Sequence, residues 1–159
     1  MKFYNREKEL GLLRDAEKKA FNASQMTFIV GRRRIGKTRL IKEAFDAKNL
    51  IYFFVAKKSE KLLCEEYTRI IENKTGKKII GTLKTFKEIF EYLMQLSENT
   101  QLNIAIDEFQ EFYNINPSIY SDMQNIWDSY KDKSKVNLIL SGSIYSLMAK
   151  IFEEQKEPL

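Results

Sequence analysis

Residues 26–38, MTFIVGRRRIGKT, run from a short apolar stretch through a glycine-bounded basic loop into Lys37 and Thr38. No other segment constrains the fold as tightly. MTFIV (26–30) has the length and apolarity of a buried strand. After Thr38, Leu40, Ile41, Ala44 and Phe45 recur at helical spacing. The segment therefore predicts strand, loop and helix, with the spacing G-x-x-x-x-G-K-[ST] across the junction. Glycines let such a loop turn its backbone N–H groups into one concavity, and the helix N-terminus adds partial positive charge there. That is a cradle for phosphate. Gly31, Arg32, Arg33, Arg34, Ile35, Gly36, Lys37, Thr38 and Arg39 are the candidate residues for binding a nucleoside triphosphate. In this geometry Lys37 reaches the β- and γ-phosphates, and the Thr38 hydroxyl is a Mg²⁺ ligand. Arg32, Arg33 and Arg34 fall at variable positions whose side chains point away from the phosphates. At least two read as solvated, which leaves one as a contact to phosphate, a partner subunit or nucleic acid.

Three further apolar runs, LIYFFV (50–55), LNIAI (102–106) and VNLIL (136–140), also read as strands. Their continuous apolarity predicts cover on both faces. Helical spacing lies between them. One helix begins at Asn5 and carries Leu10, Leu13 and Ala20. Another starts near Ser59, with Leu63, Tyr67, Ile70 and Ile71. A capping box, Thr85 to Glu88, opens a helix with Phe86, Ile89, Phe90 and Leu93. Asn116 and Pro117 open a helix with Ile119, Met123, Ile126, Trp127 and Tyr130. A last helix follows Gly142 and Ser143, with Ile144, Leu147, Met148 and Ile151. Phe90, Trp127 and Tyr130 read as core. The alternation predicts one domain over residues 1–159, a three-layer α/β/α sandwich on a mostly parallel sheet of about four strands.

The third run ends IAIDE, so two carboxylates stand at the carboxyl end of a buried strand. Ligands bind at that end of parallel sheets. Asp107 is the candidate Mg²⁺ ligand beside Thr38, and Glu108 the candidate general base for an attacking water. The plain alternative is a solvated loop start, and the upstream phosphate loop tips the balance to function. The fourth run ends LILSGS, which puts Ser141 at the same rim. It is a candidate polar sensor of the γ-phosphate, with Ser143 the better helix cap. Gln110 is a weaker candidate for the same network.

Composition excludes several chemistries. The 159 residues contain no histidine, which removes Ser-His-Asp and Cys-His catalysis and imidazole metal sites from this chain. The single cysteine, Cys64, has no intrachain disulfide partner. No apolar run approaches the about 18 residues of a membrane span. A cytoplasmic location is the expectation. The net charge of +5, from 27 basic and 22 acidic side chains, permits nucleic-acid binding without requiring it.

Four segments in order, FYNREKEL, GRRRIGKT, IAIDEFQEF and LILSGSIYSLM, resemble the archaeal-type prokaryotic ATPases, in the AAA+/STAND-like branch of P-loop ATPases. The resemblance spans essentially the whole chain. It implies ATP and Mg²⁺ as cofactors, a sheet order of 5-1-4-3-2, Asp107 and Glu108 as the acidic pair, and Ser141 as the first sensor. It places Asn5, Arg6 and Glu7 near adenine, with Tyr4 or Arg6 at the base or ribose. A plain cap at Asn5 is equally consistent. Family members continue into a fifth strand, a helical lid bearing arginines, and a C-terminal region through which DNA is a possible partner. The fifth strand and lid are missing here, so the chain reads as an N-terminal part of a longer protein. An open edge on the first strand would then favour self-association, which light scattering checks. Without a lid arginine, worth about 10³–10⁵ in rate, hydrolysis is expected to be slow.

The functional expectation is a switch or motor core driven by ATP. The alternatives are a nucleotide or small-molecule kinase, and a nucleic-acid-binding module with a degenerate nucleotide site. Glu108 directly after Asp107 suits activation of water rather than of a substrate hydroxyl. The lysines are mixed with nearly as many acids, as on a solvated surface.

Overall fold

The four apolar runs pair side by side as parallel strands: β1 (Gln25–Val30), β2 (Leu50–Phe54), β3 (Leu102–Asp107) and β4 (Val136–Gly142). The computed structural model describes residues 6–31 and 36–143, apart from the side chain of Arg6. The sheet order is β1-β4-β3-β2, matching the 1-4-3-2 portion of the implied order. Among the described residues, no strand pairs with the outer edge of β1.

The central strands fulfil the expectation of two-sided cover. Every residue of β4 is buried, and so is β3 after Leu102. The edge strands depart from it: Phe28 of β1 is 39% exposed and Phe54 of β2 is 50% exposed. An apolar run specifies a strand but not how many neighbours that strand has.

Among the described residues, six helices complete the layers: α1 (Arg6–Ala20), α2 (Lys37–Ala44), α3 (Glu60–Thr75), α4 (Phe86–Leu96), α5 (Phe112–Ile115) and α6 (Ser118–Tyr130). On one face, Leu13 of α1 and Leu40, Ile41 and Ala44 of α2 pack on Ala105 and Ile139. The other face carries α3, α4, α5 and α6 over Ile51, Phe53, Ile104, Ile106, Leu138 and Leu140. Alternation along each strand sends successive side chains to opposite faces. Asp107 therefore shares the α1–α2 face with Ala105, and Ser141 shares it with Ile139.

Local signals mark several helix starts. Ser59 Oγ accepts the Leu62 N–H at 3.3 Å, and Thr85 Oγ1 accepts that of Glu88 at 3.3 Å. Asn116 Oδ1 accepts the Ser118 N–H at 3.2 Å, and Pro117 already has a helical φ of −64°. The expected helix start at Asn5 and the expected helix after Ser143 lie outside the described residues.

Phe90 and Trp127 are buried as expected, whereas Tyr130 is half-buried, its hydroxyl accepting from Gln95 Nε2 at 2.9 Å. Between β3 and α6 the chain forms a 3₁₀ turn (Phe109–Glu111) and α5, neither of which the sequence pattern revealed. Aromatic packing holds this segment. Phe112 lies 4.7 Å from Phe86, and Phe109 meets Tyr120 edge-on at 5.2 Å. The Tyr120 hydroxyl donates to the Phe109 carbonyl at 2.9 Å and also approaches that of Gln110 at 3.1 Å. Phe109 and Phe112 thus plug into the core immediately after the acidic strand end.

Candidate functional site

The loop after β1 depends on glycine at both ends. Gly31 has φ 155° and Gly36 has φ 79°, ψ 26°, conformations that carry a penalty for side chains with a Cβ. Gly36 then leads directly into α2, whose first turn presents backbone N–H groups that no intrahelical carbonyl can satisfy. Lys37, the first helical residue, is buried, and its Nζ donates to the Gly31 carbonyl at 3.2 Å. Burial lowers its pKa from the usual lysine value, opposed by the nearby Glu108 and Asp107 carboxylates. A desolvated ammonium at a helix N-terminus is suited to an anionic ligand. Arg32, Arg33, Arg34 and Ile35 lie outside the described residues, as do Tyr4, Asn5 and the Arg6 side chain.

Asp107, the last residue of β3, is buried and receives three donors. The Thr38 hydroxyl donates to Oδ2 at 2.5 Å, the Tyr52 hydroxyl to the same oxygen at 2.5 Å, and the Glu108 N–H to Oδ1 at 2.9 Å. Residues 69 positions apart in sequence therefore meet directly. Glu108 has a left-handed backbone, φ 56° and ψ 43°, and is the only non-glycine residue with positive φ among those described. That geometry costs about 1–3 kcal/mol and persists only where the surroundings impose it. The buried Phe109 and Phe112 do so here.

A polar group borders this pair. Gln110 Nε2 donates to Glu108 Oε2, and also to Ser143 Oγ at 3.2 Å. Ser143 thus takes a hydrogen bond from Gln110, and the helix it was expected to cap is outside the described residues. Ser141 Oγ and Gln110 Oε1 are buried with no partner among the described residues. Ser141 follows Leu140, which pairs with Ile106, so it stands beside Asp107 at the carboxyl rim. A buried hydroxyl without a partner carries a desolvation cost that a polar ligand or water would relieve.

These groups border an open groove of about 550 Å³, lined by Gly36, Lys37, Thr38, Arg39, Lys42, Glu43, Asp107 and Glu108. Arg39 lines it with its Nε on Glu43 Oε1 at 3.0 Å. A hydroxyl and a carboxylate, with no sulfur or imidazole, form a donor set that suits a hard divalent cation. Among the described residues no three His, Cys, Asp or Glu side chains cluster to hold a metal unaided. Thr38 and Asp107 would therefore need a ligand's phosphate oxygens and water to complete the coordination of Mg²⁺.

Sequence reasoning missed Tyr52. It lies within an apolar run, and nothing in its immediate neighbours marks it as a site residue. Its hydroxyl pKa is raised, by burial first and then by its hydrogen bond to Asp107. Among the described residues no helix is long and apolar enough to cross a membrane.

The chain matches, over residues 3–158, the model of an ATPase domain predominantly from Archaea. An uncharacterized protein of Methanocaldococcus jannaschii is 32% identical over 99% of this chain, and a second from the same organism is 34% identical over 49% of it. This chain spans 33% of the first relative and 77% of the second. Among solved structures, a Walker-type ATPase of Pyrococcus abyssi superposes with a TM-score of 0.65 at 19% identity, covering 89% of this chain and 47% of that one. Cdc6p of Pyrobaculum aerophilum gives 0.65 at 12% identity, covering 98% and 44%. The ORC2 protein of Aeropyrum pernix, solved in an ADP form, gives 0.62 at 19%, covering 96% and 44%. These structural likenesses establish the fold, a three-layer P-loop ATPase sandwich. The match over nearly the whole chain establishes the family: the chain belongs to the ATPase domains found predominantly in Archaea.

Proposed function

We propose that this chain is the ATP-binding core of a larger protein and that it hydrolyses ATP in a Mg²⁺-dependent reaction. The observation that carries the proposal is the 2.5 Å hydrogen bond from Thr38 Oγ1 to Asp107 Oδ2, beside the buried Lys37 and against Glu108. Loop, helix terminus and acidic strand end share one groove. Lys37 would exchange its contact with the Gly31 carbonyl for phosphate oxygens. The first turn of α2 would bind phosphate through its N–H groups. Thr38 and Asp107 would hold Mg²⁺, which when bound neutralises charge on the phosphates. Glu108 would orient and deprotonate the attacking water, and the unpartnered Ser141 hydroxyl would take a hydrogen bond at the γ-phosphate end.

Turnover should be slow wherever no arginine reaches the triphosphate. Among the described residues, the one arginine lining the groove is Arg39, and Glu43 engages its guanidinium. An arginine supplied from elsewhere would add about 10³–10⁵ in rate. Binding of ATP and GTP, with and without Mg²⁺, tests the proposal on wild type, Lys37→Ala and Glu108→Gln. Lys37→Ala should weaken ATP binding roughly 10–100-fold, the worth of a charged hydrogen bond. Glu108→Gln should keep binding and lose about 10²–10⁴-fold in turnover. Equal ATP affinity in wild type and Lys37→Ala would overturn the assignment.

A further inference from the structure

The Tyr52 hydroxyl has no part in the roles set out above, yet it is one of three donors on a single buried carboxylate. Tyr52 belongs to β2, the strand furthest from the phosphate loop. Its register partner on β3 is Ala105, and Asp107 is the diagonal neighbour two residues on. A tyrosine side chain is long enough to span that diagonal, and its hydroxyl does so here. The buried Ala105 presents only a methyl group, which leaves room for the ring to lean across it. From above, Lys42 of α2 places its Nζ 4.9 Å from the ring centroid. The ring is held between α2 and the sheet, and its hydroxyl meets Asp107 Oδ2 at 2.5 Å.

We infer that Tyr52 is a positioning residue for the metal, acting through Asp107. Thr38 and the Glu108 N–H each engage one oxygen of the carboxylate, and Tyr52 adds a second donor on Oδ2. The third donor, from a separate element, fixes Oδ2 toward Thr38 and Oδ1 toward the Glu108 backbone. The Thr38 proton is then committed to Asp107, so only its oxygen lone pairs remain for a cation. The arrangement is set before any metal arrives. Filling the space alone would need only phenylalanine, so the effect belongs to the hydroxyl.

This inference rests on the proposed Mg²⁺–ATP reading. It is tested by calorimetric titration of ATP into wild type and Tyr52→Phe across a series of Mg²⁺ concentrations, and again in excess chelator. Loss of a partner that orients a metal ligand typically costs 10–100-fold in metal affinity. Tyr52→Phe should therefore raise half-saturating Mg²⁺ by about tenfold or more, with ATP affinity in chelator unchanged. The unchanged value also shows that the variant is folded. An unshifted Mg²⁺ dependence would overturn the inference. So would equal weakening with and without metal, since the hydroxyl would then shape the phosphate pocket rather than the carboxylate. If wild type itself shows no Mg²⁺ effect on ATP binding, the site reading fails and this inference fails with it, a result visible before any variant is made.

Discussion

Burial sets the chemistry of Cys64 on α3. The thiol pKa is pushed up from 9.0 to about 12, by burial first and then by the Glu60 and Glu88 carboxylates. At neutral pH the thiol is protonated and enclosed, so thiol reagents should label it only after unfolding. Raising pH adds a stability effect with a definite sign. Between 9 and 12 the folded chain keeps a proton that the unfolded chain gives up, so the stabilising difference is present below pH 9 and is lost as pH climbs toward 12. Denaturant unfolding of wild type and Cys64→Ala over that window measures it. The wild-type advantage should shrink by up to about 1.4 kcal/mol per pH unit. A constant gap would contradict the burial argument. At this scale some residues are legible in sequence and others are not. Lys37, Thr38, Asp107 and Glu108 stand out because residue type, spacing and strand-end position agree. Tyr52 does not, because its role depends on strand register and on the small size of Ala105 opposite it.

Among the elements, the turn and short helix after β3 matter most to the site. The segment FQEFYNI has neither the two-residue nor the 3.6-residue period over enough length to signal an element, so the sequence leaves it blank. Tertiary anchoring creates it. Phe109 and Phe112 are each 1% exposed, and Tyr120 bonds its backbone. That anchoring holds Glu108 in its left-handed conformation. Phe112→Ala should cost about 3–5 kcal/mol by chemical denaturation, the usual range for a buried aromatic. It should also lower turnover more than ATP affinity, because Glu108 loses its support while Lys37 and α2 do not. A folded Phe112→Ala protein with wild-type turnover would show that the strand end holds its shape unaided. The capped helices behave differently. Ser59, Thr85 and Asn116 announce α3, α4 and α6 in sequence because their capping is local, between residues two or three apart.

Over the whole molecule, the parallel order β1-β4-β3-β2 is what turns distant residues into one site. The strand carrying the acidic pair is separated from β1 by β4 alone, so its carboxyl end faces the start of α2 across Ser141. Apolar runs separated by helical spacing made the layered architecture legible. Strand order came from the resemblance, because periodicity does not say which strands are neighbours. The central claim is that four residues remote in sequence serve one metal–triphosphate pocket. Comparing ATP affinity with and without Mg²⁺, in wild type and Asp107→Asn, measures it most directly. The account predicts that Mg²⁺ tightens ATP binding in wild type, that the substitution abolishes this gain, and that metal-free affinity is unaltered. A full Mg²⁺ gain in Asp107→Asn would contradict it.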